Sequence, residues 1–147
     1  MSGFIETYRG AIYPWHCDHQ GHLTVMHYFG FFDPATWQLL SELGFTSARL
    51  AEENRGFVDV TATINYLAEQ HAGARIHIES ALLRIGTTSI TSIHRMRNSE
   101  TGELAATLEN VMLYFDLAAR KKVALAEADK ARLQAFLVEP DSEAAPS

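Results

Sequence analysis

The chain has 147 residues, 47% of them hydrophobic and 20% charged, a composition that excludes a disordered, fibrous or membrane-embedded protein and fits one globular domain burying about 68–70% of its unfolded surface. Twelve Lys+Arg against eighteen Asp+Glu leave a formal charge of −6, and the longest basic run is Arg120-Lys121-Lys122, so no nucleic-acid partner is expected. The single Cys17 excludes an intramolecular disulfide, and residues 1–6 carry neither the basic nor the apolar region of a signal peptide, so the expected compartment is the cytoplasm.

Residues 4–13 alternate and are rich in Tyr, Ile and Thr, which predicts a first strand closed by Pro14. Over 26–43 the apolar residues Tyr28, Phe31, Phe32, Ala35, Leu39, Leu40 and Leu43 recur at helical spacing, with Gly44 at the C-terminal position. Asp33-Pro34 falls inside this segment. The unbroken apolar stripe favours a helix kinked at Pro34 over one capped by Asp33. The same dipeptide, with His27, Gln38 and Ser41, leaves no run of ~20 apolar residues to span a membrane.

A short helix is expected over 47–54 with Ser47 as its N-cap and Gly56 beyond its end, followed by strands over 57–66, 75–84, 88–97 and 103–115. The intervening segments 69–73, 85–87 and 98–102 hold turn residues and are expected to close hairpins. In the last strand the apolar phase passes from Leu104, Ala106 and Leu108 to Val111, Leu113 and Phe115, which predicts a bulge or a change of covered face. A terminal helix is expected over 127–137, and 139–147 reads as a disordered tail behind a single domain over 1–138. Strand, long helix and four strands imply an α+β domain: an antiparallel sheet of about five strands with the helix on its concave face.

The densest chemistry is Trp15-His16-Cys17-Asp18-His19-Gln20-Gly21-His22, beside the N-terminus of the long helix, where free backbone N–H groups polarise a carbonyl or hold an anion. Asp18 is the candidate acid, base or nucleophile, and equally a residue that caps a turn. His16, His19 and His22 with Cys17 and Asp18 offer metal ligands, but in one cluster rather than the paired spacings of a structural site, and no metal or cofactor is expected. Strand alternation would set Cys17 on the opposite side from His16 and Asp18, buried and inert. His27 falls in the first helical turn, while Glu69 and His71 fit a solvated turn or an approach to a neighbouring subunit. Tyr13, Trp15, Tyr28, Phe31, Phe32, Trp37 and Tyr66 are core by spacing, the few near the loop being candidates to line an acyl pocket or to make cation–π contacts with a quaternary ammonium.

Asp18, Gly21 and His22, then Tyr28 and a helix ending at Leu43-Gly44, resemble the signature of the hotdog-fold acyl-CoA thioesterases of the 4-hydroxybenzoyl-CoA thioesterase-like family. The order of helix and strands, with Gly86-Thr87-Thr88-Ser89 before one strand and Gly102-Glu103-Leu104-Ala105-Ala106 opening the next, extends the resemblance over about 4–120. It implies a hotdog fold, a sheet wrapped around one central helix, and a homodimer or homotetramer with sites between subunits. It also implies thioester hydrolysis of an acyl-CoA, with Asp18 as general base or nucleophile and the backbone at Thr24 and Val25 polarising the carbonyl. Trp15, His16, His22 and Tyr28 are the expected substrate-binding residues.

The asparagine that many relatives place soon after the histidine is absent, Thr24-Val25-Met26-His27 standing there. Arg75, Arg84, Arg95, Arg97, Arg120, Lys121 and Lys122 are the supply of cations for CoA phosphates. Two alternatives stay open: a non-catalytic acyl-CoA-binding protein of the same fold, and an acyl-thioester hydratase or dehydratase, although the Asp-Asn-Pro-His run of such relatives is missing.

Overall fold

A computed structural model describes residues 3–140. The expected tail falls mostly on residues 141–147, outside the described residues. The elements run β1 (Ile5–Ala11), α1 (Val25–Glu42), α2 (Ser47–Glu53), β2 (Arg55–Tyr66), β3 (Arg75–Ile85), β4 (Ser89–Asn98), β5 (Leu104–Asp116), β6 (Lys121–Lys122) and α3 (Glu127–Leu133). Single 3-10 turns follow β1 at Pro14–His16 and α3 at Gln134–Phe136. The first expected strand therefore ends at Ala11 and the terminal α-helix at Leu133. No helix among the described residues is long and apolar enough to cross a membrane.

All strands pair antiparallel in the order β1-β3-β4-β5-β2, with the two-residue β6 continuing alongside β5. The α+β architecture is as expected, and α1 packs into the concave face. Its buried residues Tyr28, Phe31, Phe32, Ala35, Thr36, Leu39 and Leu40 form the predicted stripe, and the helix runs unbroken through Pro34. Helical spacing leaves Val25, Phe29, Asp33 and Trp37 as a second, exposed stripe one turn apart.

Two expectations are corrected by local chemistry. The N-cap of α2 is Thr46, whose side chain accepts from the Arg49 N–H, and Asn54 closes the helix in the left-handed region at φ 54°. On β5 the phase does not switch: Leu104, Ala106, Leu108, Asn110, Met112 and Tyr114 are all buried, while Val111, Leu113 and Phe115 are half-covered on the other face. The expected bulge on β5 is present but lies earlier, at Ala105, where Met96 pairs Ala106 and Arg97 pairs Leu104; a further one lies on β2, where Asp59 pairs Met112 and Thr61 pairs Val111, leaving Val60 bulged. The bulge resets the alternation so that Phe57, Asp59, Ile64 and Tyr66 all turn toward α1.

The concave face is not uniformly apolar. Thr7 on β1, Ser80 on β3, Ser92 and His94 on β4 and Asn110 on β5 are buried in one hydrogen-bonded string that crosses the sheet beneath α1. One apolar cluster lies on each side of it, around Phe32, Ile78 and Met96 and around Leu39, Phe45 and Leu82.

At the far end of α1, Gly44 takes φ +100°, and a Cβ there would meet the Arg132 guanidinium at 2.5 Å. Arg132 Nε donates to Leu43 O at 2.7 Å, and both Arg132 and Arg49 donate to Asp129, which ties α3 and α2 to the end of α1.

Candidate active site

The loop between β1 and α1 doubles back on itself. Cys17 bridges Leu23 antiparallel, the Asp18 N–H donates to His22 O at 2.9 Å, and Gly21 turns at φ +83° to close the tip. Asp18 Oδ1 accepts from the N–H groups of Gln20 at 2.9 Å and His22 at 3.3 Å. Partial desolvation opposes ionisation, yet these two backbone bonds, followed by His19 and His22, hold the carboxyl below its ordinary 3.8. Asp18 thus has one anchored oxygen and one left open, and it is ionised at neutral pH. The geometry contains the turn cap and the exposed carboxylate together.

Thr24 is the N-cap of α1 in extended backbone, but its side chain makes no capping bond and its N–H is already donated to His16 O at 3.0 Å. The His27 N–H turns back to Thr24 O. Val25 and Met26 therefore carry the N–H groups at the helix start that have no acceptor among the described residues. They form a donor pair at the positive end of an 18-residue helix.

His16 Nδ1 accepts from the Tyr13 N–H at 2.9 Å, which leaves the proton on Nε2. Its ring lies 5.0 Å from Phe31 and 5.1 Å from His27, and burial, then the neighbouring His27, push its pKa down. Cys17 is half-buried rather than buried, packed against the core with its Sγ facing Tyr13 O. Tyr28 is buried edge-on to Tyr66 at 5.0 Å. Desolvation, then Tyr66 and Glu69, push its hydroxyl up to about 12, so it stays a proton donor.

The structure carries the turn after β2 to this loop within one chain, which the sequence reading did not anticipate. Leu23 N–H donates to Gln70 O at 2.8 Å, His22 pairs with Glu69 at 3.3 Å, and His22 bridges His71 with the rings 4.9 Å apart. Gln70 is buried and held by Asn98 Nδ2 at 3.0 Å. Ligand atoms of His22, Glu69 and His71 lie within 4.8 Å of one another and are the described residues that could share a metal. His16, Cys17 and His19 do not join them.

The aromatics also sort differently from their spacing. Tyr28, Phe31 and Phe32 are core, but Tyr13, Trp15, Trp37 and Tyr66 are exposed, Tyr13 and Trp15 stacked at 4.5 Å. Trp37 and Phe57 line a crevice between α1 and β2 with Asp33 and Asp59. A separate cavity, lined by Thr63, Asn65, Ile93 and Thr107, opens on the convex face; of the residues considered above it contains only Arg95, one of the cations considered for CoA. Of the cations considered for CoA, Arg75 pairs with Glu100 and Arg95 and Arg97 with Glu79, while Lys121 and Lys122 are exposed on β6.

Comparisons with known proteins bear on this geometry. The family model of the thioesterase-like superfamily matches residues 12–137. A betainyl-CoA thioesterase of Pseudomonas aeruginosa is 26% identical over 117 residues, 80% of this chain and 74% of its own. An L-carnitine dehydrogenase/betainyl-CoA thioesterase of Agrobacterium fabrum is 33% identical over 108 residues, 74% of this chain, which spans about a fifth of that relative's length (22%). Among solved structures, a hypothetical protein from Staphylococcus aureus in complex with CoA superposes with a TM-score of 0.85 at 13% identity, over 97% of this chain and 93% of its own.

Proposed function

The chain belongs to the thioesterase-like superfamily, and from that premise we propose that it hydrolyses the thioester bond of an acyl-CoA to a free acid and CoA. Asp18 is the general base or nucleophile. The observation that carries this reading is the Asp18 carboxylate itself, ionised and pinned by two backbone donors, on a loop that runs within a few residues into the free N–H groups of Val25 and Met26. A thioester carbonyl developing negative charge needs such preorganised donors, each worth about 2.7–4 kcal/mol of barrier. The ionised carboxylate either takes a proton from the attacking water or attacks the carbonyl carbon directly.

His16 and the Tyr28 hydroxyl, both uncharged at neutral pH, together with Trp15 and His22, shape the mouth of the site around the loop. The curated relatives named for betainyl-CoA support a substrate whose acyl group carries a quaternary ammonium. The reaction as written uses no metal or redox group. A homodimer joined through the edge strand β2 fits the exposure of Val58 and Val60 there and of Val25, Met26 and Phe29 on the neighbouring face of α1.

The test is thiol release from short, long, aromatic and quaternary-ammonium acyl-CoAs, with Asp18→Asn run alongside. The variant is expected to lose at least ~100-fold in kcat/KM while keeping its circular dichroism spectrum. Near-normal hydrolysis by the folded variant overturns the role of Asp18. Tight acyl-CoA binding by the wild type without any turnover would favour the non-catalytic binding protein.

A further inference from the structure

The backbone fixes the turn after β2 beside the Asp18 loop. His22 and His71 stand opposite each other in an antiparallel bridge, and the Leu23 N–H donates to Gln70 O at 2.8 Å. Gln70, 2% exposed, anchors the turn from inside: its Nε2 donates to Glu69 O at 2.9 Å and its Oε1 accepts from Asn98 Nδ2 at 3.0 Å. On the loop side the Asp18 N–H donates to His22 O, and the His22 N–H returns to Asp18 Oδ1. Just beyond His71, Gly73 turns at φ +93° and its N–H donates to Ile12 O at 2.7 Å. Both segments that carry this junction are therefore ordered by folding itself, and residues directly opposite on an antiparallel pair hold their side chains within contact distance.

Three side chains gather over the junction. His22 Nε2 lies 3.3 Å from Glu69 Oε2, the rings of His22 and His71 are 4.9 Å apart, and one ligand atom from each of the three residues falls within 4.8 Å of the others. Ligands about 2.0–2.1 Å from a tetrahedral zinc stand about 3.3 Å from one another. The His22–Glu69 pair is already at that spacing, and a side-chain movement on the order of 1 Å by the exposed His71 completes the set. An ion pair accounts for His22 and Glu69 but not for His71, whose ring nitrogens receive no hydrogen bond or ion pair among the described residues. Two imidazoles and one carboxylate suit zinc and its neighbours in the first transition row, whereas calcium and magnesium want oxygen on every side.

We propose that His22, Glu69 and His71 form a binding site for a divalent transition-metal ion of the zinc class, and that the ion fastens the Asp18 loop to the turn after β2. Three protein ligands with the fourth position left to water make a complete zinc arrangement. Because the two backbones are already fixed, coordination costs the ordering of three side chains rather than of two loops. The site has no part in the proposed hydrolysis but bears on it. His22 carries the backbone N–H that holds Asp18 Oδ1, so fixing the His22 ring restrains the segment that presents the carboxylate. The other candidate ligands of the loop stay outside the set: His16 Nδ1 is taken by the Tyr13 N–H, and Cys17 Sγ faces Tyr13 O.

The test adds Co2+ or Zn2+ to tag-free, metal-stripped protein at pH 7.5 and follows the d–d absorption of cobalt and the calorimetric titration of zinc, neither of which depends on turnover. One equivalent is expected to bind with a Kd of about 10 µM or tighter. Zinc at 100 times its Kd should raise Tm by about 5–10 °C. His71→Ala and Glu69→Gln each weaken binding at least ~10-fold, the least that disturbing a metal ligand costs, while His19→Ala leaves it unchanged. Hydrogen exchange over residues 17–23 slows when zinc is bound. Saturation only at higher concentration overturns the site, as does binding that survives His71→Ala and Glu69→Gln or is lost in His19→Ala. A thiolate-to-cobalt charge-transfer band moves the ion to Cys17 and overturns it equally. Binding through the three residues with unchanged exchange over 17–23 overturns the fastening and leaves the site standing.

Discussion

His94 Nδ1 accepts a hydrogen bond from Ser80 Oγ at 2.6 Å, with both residues at 0% exposure. The groups facing the imidazole are hydroxyls and an amide, from Ser80, Ser92, Thr36 and Asn110, with the Phe32 ring 6.3 Å away. None of these carries a charge. Burial therefore lowers the histidine from its ordinary 6.5 to about 4.

Stability should fall on mild acidification because of this histidine. Between pH 6.5 and about 4 the unfolded chain binds a proton at His94 that the folded chain refuses, so protonation favours unfolding. The contribution is intact above pH 6.5, shrinks by about 2 kcal/mol at pH 5, and levels off near 3 kcal/mol below the folded value. Urea unfolding at pH 7.5 and pH 5 measures it. His16, also lowered, contributes in the same direction, so the informative quantity is the difference from His94→Gln, which should show a flatter pH dependence.

Asp129→Asn should destabilise the fold by on the order of 2 kcal/mol. The buried carboxylate accepts two bonds from Arg49, at 2.9 and 2.8 Å, and one from Arg132, and these arginines hold its pKa below 3.8. Removing one member of a fully buried pair costs about 3–5 kcal/mol, but both arginines stay partly exposed and can rehydrate. The carboxylate's stabilisation is present above pH 3.8 and is lost as pH drops through its lowered value. A chemical denaturation midpoint equal to that of the wild type would remove Asp129 as the link between α2 and α3.

Charging the free edge of β2 should separate the proposed dimer. Val60, 55% exposed at the bulge, and Val58 lie on a 12-residue strand with one side unpaired among the described residues. Val58→Lys with Val60→Lys places like charges along a two-fold edge contact. Light scattering should find a dimer for the wild type and a monomer for the variant. A monomeric wild type would remove the edge contact.

The fold was legible where one rule governs a long segment. The apolar stripe of α1 persists past Pro34 because buried residues on both sides of it fix the helix, and the turn residues at 85–87 and 98–102 mark the β3–β4 and β4–β5 hairpins, whereas 69–73, expected to close a hairpin, carries the chain from β2 at one edge across to β3. The Asp18 loop stood out by its density of titratable groups. What stayed hidden depends on pairing across the sheet. Ser80, Ser92, His94 and Asn110 occupy core-phase positions, where polar residues look like lapses in alternation until β1, β3, β4 and β5 are placed side by side. The phase change expected beyond Leu108 on β5 is absent, because the half-covered outer residues Val111, Leu113 and Phe115 are as apolar as the inner ones; the β5 bulge sits earlier, at Ala105, and another lies on β2 at Val60. The contact of His22 with Glu69 and His71 joins residues 47 and 49 positions apart, and no local pattern announces it.

The polar string also bears on how this molecule can change. It parts the core into two apolar halves that share few side-chain neighbours, one beside the Asp18 loop and one toward Gly44 and α3. Substitutions on opposite sides of such a divide tend to act independently. The half around Leu39, Phe45 and Leu82 can therefore vary in volume without altering the loop that presents Asp18. If the proposed site is right, the half beside the Asp18 loop can accept a new acyl group while the other half continues to maintain the fold.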